Sequence, residues 1–137
     1  MQNTAPTILM ADDDPEDLEL IEIAFAKTNS DAVLHKVGNG KAVLDYLANQ
    51  PDNKLPCLII LDYNMPKLNG SEVLLSLSKD DRYQAIPKMI LSTSSSPMHV
   101  QECLGNGATE YFVKPHSMSD LKDLAKKMLN YCNNNVS

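Results

Sequence analysis

Cys57-Leu58-Ile59-Ile60-Leu61-Asp62 decides the fold. Its first five residues, Cys57 to Leu61, are the most continuous apolar run in the chain. A short run with no polar alternation is a strand covered on both faces, which is the central strand of a parallel sheet. Upstream, Thr7 to Ala11 has the same character and also ends in acids, Asp12-Asp13-Asp14. Ala32 to Val37 is a further strand candidate, and downstream come Lys88 to Leu91 and Tyr111-Phe112-Val113.

Helical patterns lie between these strands. Asp14-Pro15-Glu16-Asp17 reads as a helix start, with Asp14 as the cap, Pro15 in the first turn and acids complementing the dipole. Leu18, Ile21 and Phe25 follow at helical spacing. Val43, Leu44 and Leu47 mark a second helix after the Asn39-Gly40 turn, and Val73, Leu74 and Leu77 a third after Asn69-Gly70. Pro97 opens a fourth, which Gly105-Asn106-Gly107 ends. Leu121, Leu124, Ala125 and Met128 form the amphipathic stripe of a fifth. Strands alternating with helices predict an α/β, doubly wound, five-stranded parallel sheet with helices on both faces. At 137 residues, and roughly 100–200 residues per domain, one domain over 1–137 is expected, with its core at about 7–131.

Composition narrows the function classes. Eighteen acids against twelve bases give a net charge of −6, which argues against nucleic acid or an anionic membrane as a partner. No apolar stretch is long enough to span a bilayer, and Met1 to Pro6 lacks the pattern of a signal peptide, so a cytoplasmic location is expected. The three cysteines, Cys57, Cys103 and Cys132, show no metal-ligand spacing and are expected to be buried free thiols. His35, His99 and His116 share no ligand spacing either. The residues from Asn133 onward form a polar tail, expected to be frayed.

The polar residues fall where the strands end: Asp12-Asp13, Asp62, Ser92 and Lys114. Sites in open α/β sheets form outside the carboxyl ends of strands at a switch in strand order. With order 2-1-3-4-5, Asp12, Asp13 and Asp62 converge. Converging carboxylates repel unless a cation joins them. Lys114 supplies one positive charge, and a hard divalent ion such as Mg²⁺ suits an all-oxygen ligand set. A carboxylate beside Mg²⁺ and a lysine is poised as a nucleophile towards a phosphoryl group, with Ser92 available to hydrogen-bond a phosphoryl oxygen. Taken singly, each residue has a plain structural explanation: a helix cap, a turn aspartate, a surface lysine or a loop hydroxyl. Their joint placement at successive strand ends favours the chemical one.

These motifs resemble the receiver domain of two-component response regulators. The match runs from Ile8 to about Tyr131. It rests on Asp12-Asp13, Leu61-Asp62-Tyr63-Asn64-Met65-Pro66, Ser92, and Gly107-Ala108 through Lys114-Pro115. The resemblance implies a flavodoxin-like receiver fold and a stand-alone, single-domain regulator. In that reading Asp62 is the phosphoacceptor. Asp13, Asp62 and the backbone carbonyl of Asn64 bind Mg²⁺ directly, and Asp12 acts on it through water. Lys114 contacts the phosphoryl group, the Lys114-Pro115 bond is cis, and Ser92 and Tyr111 are the switch pair. A sensor histidine kinase or phosphotransfer protein is the implied donor. The output is an unidentified protein target, with a homodimer also compatible. Asp12-Asp13-Asp14-Pro15-Glu16-Asp17 and Ser92-Thr93-Ser94-Ser95 resemble the subgroup linked to phytochromes and hybrid kinases. Two departures stand out. Thr93 replaces a small residue, and His116 replaces a large apolar one.

The expectation is thus a phosphoacceptor signalling protein, not an enzyme. One alternative is a Mg²⁺-dependent phosphatase with an aspartyl nucleophile, but Asn64 stands where its second acid would be. A flavodoxin-like cofactor binder would need a phosphate loop, which three aspartates would oppose. A receiver-like scaffold that is never phosphorylated is the remaining alternative.

Overall fold

A computed structural model describes residues 5–134; readings that fall on 1–4 and 135–137 lie outside them. The order is β1 (Thr7–Ala11), α1 (Pro15–Ala26), β2 (Val33–Val37), α2 (Gly40–Ala48), β3 (Leu58–Leu61), α3 (Gly70–Ser78), β4 (Lys88–Ser92), α4 (Pro97–Gly105), β5 (Glu110–Val113) and α5 (Met118–Asn134). Short 3-10 turns at Asp52–Lys54 and Asp81–Tyr83 fill the connections before β3 and β4. The five strands pair in the order β2-β1-β3-β4-β5, every pair parallel. This is the doubly wound sheet that the alternating pattern predicts.

Strand periodicity divides the core into two layers. Leu9, Ala11, Ile59, Leu61 and Ile90 point to one face and pack with Val43, Leu47, Val73, Leu74 and Cys103 of α2, α3 and α4. Ile8, Met10, Leu58, Ile60, Met89 and Leu91 point to the other and pack with Ile21, Phe25, Ala125 and Met128 of α1 and α5. Every residue of β3 is fully buried, and each such side chain contributes about 1.5–3 kcal/mol of burial. β2, at the edge, is mostly exposed.

The helices start where the sequence caps them. Asp14 Oδ1 accepts from the Glu16 backbone N–H at 2.9 Å, with Pro15 in the first turn. Asn39 accepts from Ala42 N–H, and Asn69 with Glu72 forms a reciprocal capping box, so the orphan N–H groups of the first turn are satisfied. Gly70 is required by close approach: a Cβ there would lie 2.6 Å from the Asp62 carbonyl oxygen.

The structure corrects the sequence reading of the cysteines. Cys57 and Cys132 form a disulfide, with Cα atoms 5.0 Å apart across 75 positions of sequence; only Cys103, among the described residues, is a free buried thiol. The apolar stripe of α5 packs onto the β3 face and carries Cys132 to Cys57, just before β3. α5 also continues through Asn134, past the point where fraying is expected.

Candidate functional site

The parallel ladder runs one residue beyond the strands and so places the site. Asp12 N–H donates to Val37 O, Asp62 N–H to Ala11 O, and Lys114 N–H to Ser92 O, at 2.8–3.1 Å. Backbone pairing thus aims side chains from different strands into one space. Oxygens of Asp12, Asp13 and Asp62 all lie within 4.8 Å of one another. Asp12 and Asp62 are buried and Asp13 is exposed. Asp14 does not join them; its carboxylate caps α1. Asn64 and Asp13 line an open depression beside the cluster, with Met65, Pro66, Lys67, Asn69 and Glu72.

Lys114 reaches this cluster from the end of β5. Its Nζ is 2.8 Å from Asp12 Oδ2, 2.7 Å from Asp17 Oδ2 and 3.5 Å from Asp62 Oδ2. Burial works against the ammonium, but hydrogen bonds to Asp12 and Asp17 and the charge of Asp62 more than offset it, so the group is held charged above the usual lysine range. Burial, and then the charge of Asp12, push the Asp62 carboxyl up to about 6, against the opposing pull of Lys114. A buried carboxylate raised by a neighbouring one in this way suits a hard cation, and an all-oxygen donor set fits one that keeps several waters.

The Lys114–Pro115 bond is trans, since no cis peptide occurs among the described residues. This corrects the expectation of a cis bond. Trans is the favoured isomer before proline by about 0.5–1 kcal/mol, and from it Lys114 already reaches its carboxylate partners.

Ser92 and Tyr111 meet through a shared neighbour. The Ser92 hydroxyl is fully buried and accepts from the Ser94 N–H at 3.2 Å. The Tyr111 hydroxyl donates to the Ser94 carbonyl at 2.7 Å. Ser94 Oγ is also 2.7 Å from His99 Nδ1. His99 in turn stacks on Tyr63, whose hydroxyl donates to Glu102 at 3.0 Å. Burial and then Glu102 raise the Tyr63 phenol to about 12, so it remains a donor. The departures Thr93 and His116 are both exposed.

Asp17, Tyr63 and His99 were not singled out by sequence. Asp17 carried one signal, its place in the first turn of α1 beside the acidic loop. Tyr63 enters the sequence reading only as part of the motif from Leu61 to Pro66, and His99 carries no signal, because their contact joins residues from distant elements.

The family model described as "Response regulator receiver domain" matches residues 8–126. The chain is similar to the probable methanogenesis regulatory protein FilR2 of Methanothrix harundinacea (strain 6Ac), at 32% identity over 126 residues, covering 90% of this chain and 81% of that one. It is similar in structure to the phosphorylated cyanobacterial phytochrome response regulator RcpA, with a TM-score of 0.85, 26% identity and 98% of each chain covered. It also resembles the Mn²⁺-bound form of response regulator Rcp1, with a TM-score of 0.81, 26% identity, and 96% of this chain and 97% of that one covered. With the strand order, the clustered aspartates and the lysine all in place, the chain belongs to the response regulator receiver domain family.

Proposed function

We propose that Asp62 accepts a phosphoryl group from a phosphohistidine of a sensor kinase or phosphotransfer protein, and that the change at Asp62 alters an interaction surface through Ser92 and Tyr111. The observation that carries this reading is the convergence of Asp12, Asp13 and Asp62 within 4.8 Å, with the Lys114 ammonium 3.5 Å from Asp62.

A carboxylate oxygen of Asp62 attacks phosphorus, the O–P bond forms, and the N–P bond of the phosphohistidine breaks with imidazole as the leaving group. Asp12, Asp13, Asp62 and the Asn64 carbonyl would hold Mg²⁺, which when bound neutralises charge on the phosphoryl oxygens and on the carboxylates. Lys114 contributes a fixed positive charge to the same oxygens. Ser92 donates its hydroxyl to one of them while its lone pairs can still accept from the Ser94 N–H, so Ser94 follows when Ser92 moves towards the phosphoryl group. That shifts Ser94, the residue whose carbonyl holds the Tyr111 hydroxyl. Phosphorylation then favours a second arrangement of the loop between β4 and α4 because that arrangement binds the phosphoryl group better.

RcpA, to which this chain is similar in structure, is described as a phytochrome response regulator. A phytochrome-type kinase is therefore the first donor to test. Asn64 offers an amide where an aspartyl phosphatase needs an acid, so the phosphorylated form is a signal and not a turnover intermediate.

Radiolabelled acetyl phosphate with Mg²⁺ tests the assignment. The wild-type chain takes up label stoichiometrically, chelation of the metal suppresses it, and Asp62→Asn takes up none. Persistent stoichiometric labelling of Asp62→Asn overturns the assignment.

A further inference from the structure

Three carboxylates compete for one ammonium. Lys114 Nζ is 2.7 Å from Asp17 and 2.8 Å from Asp12, yet 3.5 Å from Asp62. Asp17 is not one of the clustered carboxylates, and it comes from a different kind of element. Asp12 and Asp62 follow strands, whereas Asp17 sits in the first turn of α1. The Asp17 side chain is 30% exposed and that of Asp12 is 1% exposed. Water can therefore take up the Asp17 carboxylate when its partner leaves, and cannot do the same for Asp12.

From this geometry we infer that Asp17 is a positioning residue: it holds Lys114 back from the phosphoacceptor at rest and yields it to the phosphoryl group. The inference rests on the phosphoacceptor reading of Asp62. A phosphoryl group brings up to about two negative charges where the carboxylate carried one, so the balance of attraction on Lys114 shifts towards Asp62. The lysine stem is flexible and its head compact, so it turns without moving β5. The Asp12 pair persists as the pivot, and the Asp17 pair is the one exchanged. Asp17 is then left unpaired on α1, at a small cleft walled by Leu20, Pro115 and Leu121. Phosphorylation at Asp62 thereby changes the charge displayed on α1.

Labelling rates at sub-saturating acetyl phosphate test this, comparing wild type, Asp17→Asn, Asp17→Glu and Glu19→Gln. Glu19 is exposed on the same helix, so Glu19→Gln removes one charge without touching Lys114. Asp17→Asn frees Lys114 and raises the rate about three- to fivefold, the worth of a partly exposed ion pair. Asp17→Glu stays near wild type and Glu19→Gln is unchanged. An Asp17→Asn rate equal to that of Glu19→Gln, or slower than wild type, overturns the inference while leaving the phosphoacceptor reading intact. A wild-type chain that takes no label overturns that reading and this inference with it. Should Asp17→Asn fail to fold, carboxyl NMR of the wild type decides. Beryllofluoride with Mg²⁺ shifts the Asp17 side-chain resonance if Lys114 departs, and an unmoved resonance overturns the exchange.

Discussion

The ring of Tyr63 lies flat against the imidazole of His99, with centroids 4.1 Å apart and planes inclined by 16°. Tyr63 directly follows Asp62, and His99 belongs to α4, so one stacked pair joins the loop after β3 to α4. His99 also contacts Ser94 Oγ. Removing the ring takes away a stack and a hydrogen bond together. His99→Ala should lose about 1–2 kcal/mol in urea denaturation. His99→Gln keeps a partner for Ser94 and should recover part of that loss; equal losses for both variants would contradict the account.

Asp62 should destabilise the metal-free protein near neutral pH. Its folded-state carboxyl is raised from 3.8 to about 6, by burial first and Asp12 second. The native state therefore binds more protons than the unfolded chain between those values, and stability falls as pH rises through them. Without Mg²⁺ at neutral pH, Asp62→Asn should be more stable than wild type by about 1–2 kcal/mol, and the gap should close towards pH of about 4. Mg²⁺ should stabilise the wild type and not the variant, because the proposed ligand set is complete only in the wild type. Denaturation at several pH values, with and without Mg²⁺, measures each arm.

Gly70 opens α3 against the backbone of Asp62. An added Cβ would lie 2.6 Å from Asp62 O and 3.1 Å from Ile90 Cδ1. Neither the backbone nor a core side chain gives way freely. Gly70→Ala should cost about 1–3 kcal/mol and slow labelling of Asp62 by acetyl phosphate. Unchanged stability with unchanged labelling would show that the loop has slack.

The Cys57–Cys132 bond closes a loop of 75 positions. By the chain-entropy relation, opening it should lower stability by about 4 kcal/mol. Denaturation with and without dithiothreitol reads the loss, and Cys57→Ser should match the reduced protein and no longer respond to the reductant.

Local pattern made most of the fold legible. β1 lies where the short apolar run before the acids puts it, Thr7–Ala11, and β3 lacks only Cys57 from the expected strand. Asn39, Asn69 and Pro97 each open a helix as their chemistry dictates. The site was legible for a related reason: its groups follow strand ends, and strand order alone brings strand ends together. What was missed depends on tertiary contact. Nothing in the spacing of Cys57 and Cys132 says that α5 returns to the start of β3. Lys88 is similar. It reads as a polar opening to a strand, yet it is buried, with its ammonium donating to Tyr83 O and Ile86 O at 2.6 and 2.8 Å. Burial lowers its pKa, and only the packed segment from Tyr83 to Ile86 supplies the carbonyls that make its position tenable.

The contact between Lys114 and Asp12 spans 102 positions. A ribosome therefore releases both acidic loops long before it makes the cation that balances them. Until β5 docks, the emerging chain carries Asp12, Asp13 and Asp62 without their lysine. The site is completed by the last strand of the sheet, so a nascent chain stopped before that strand can have its acids gathered and still lack the cation that joins them.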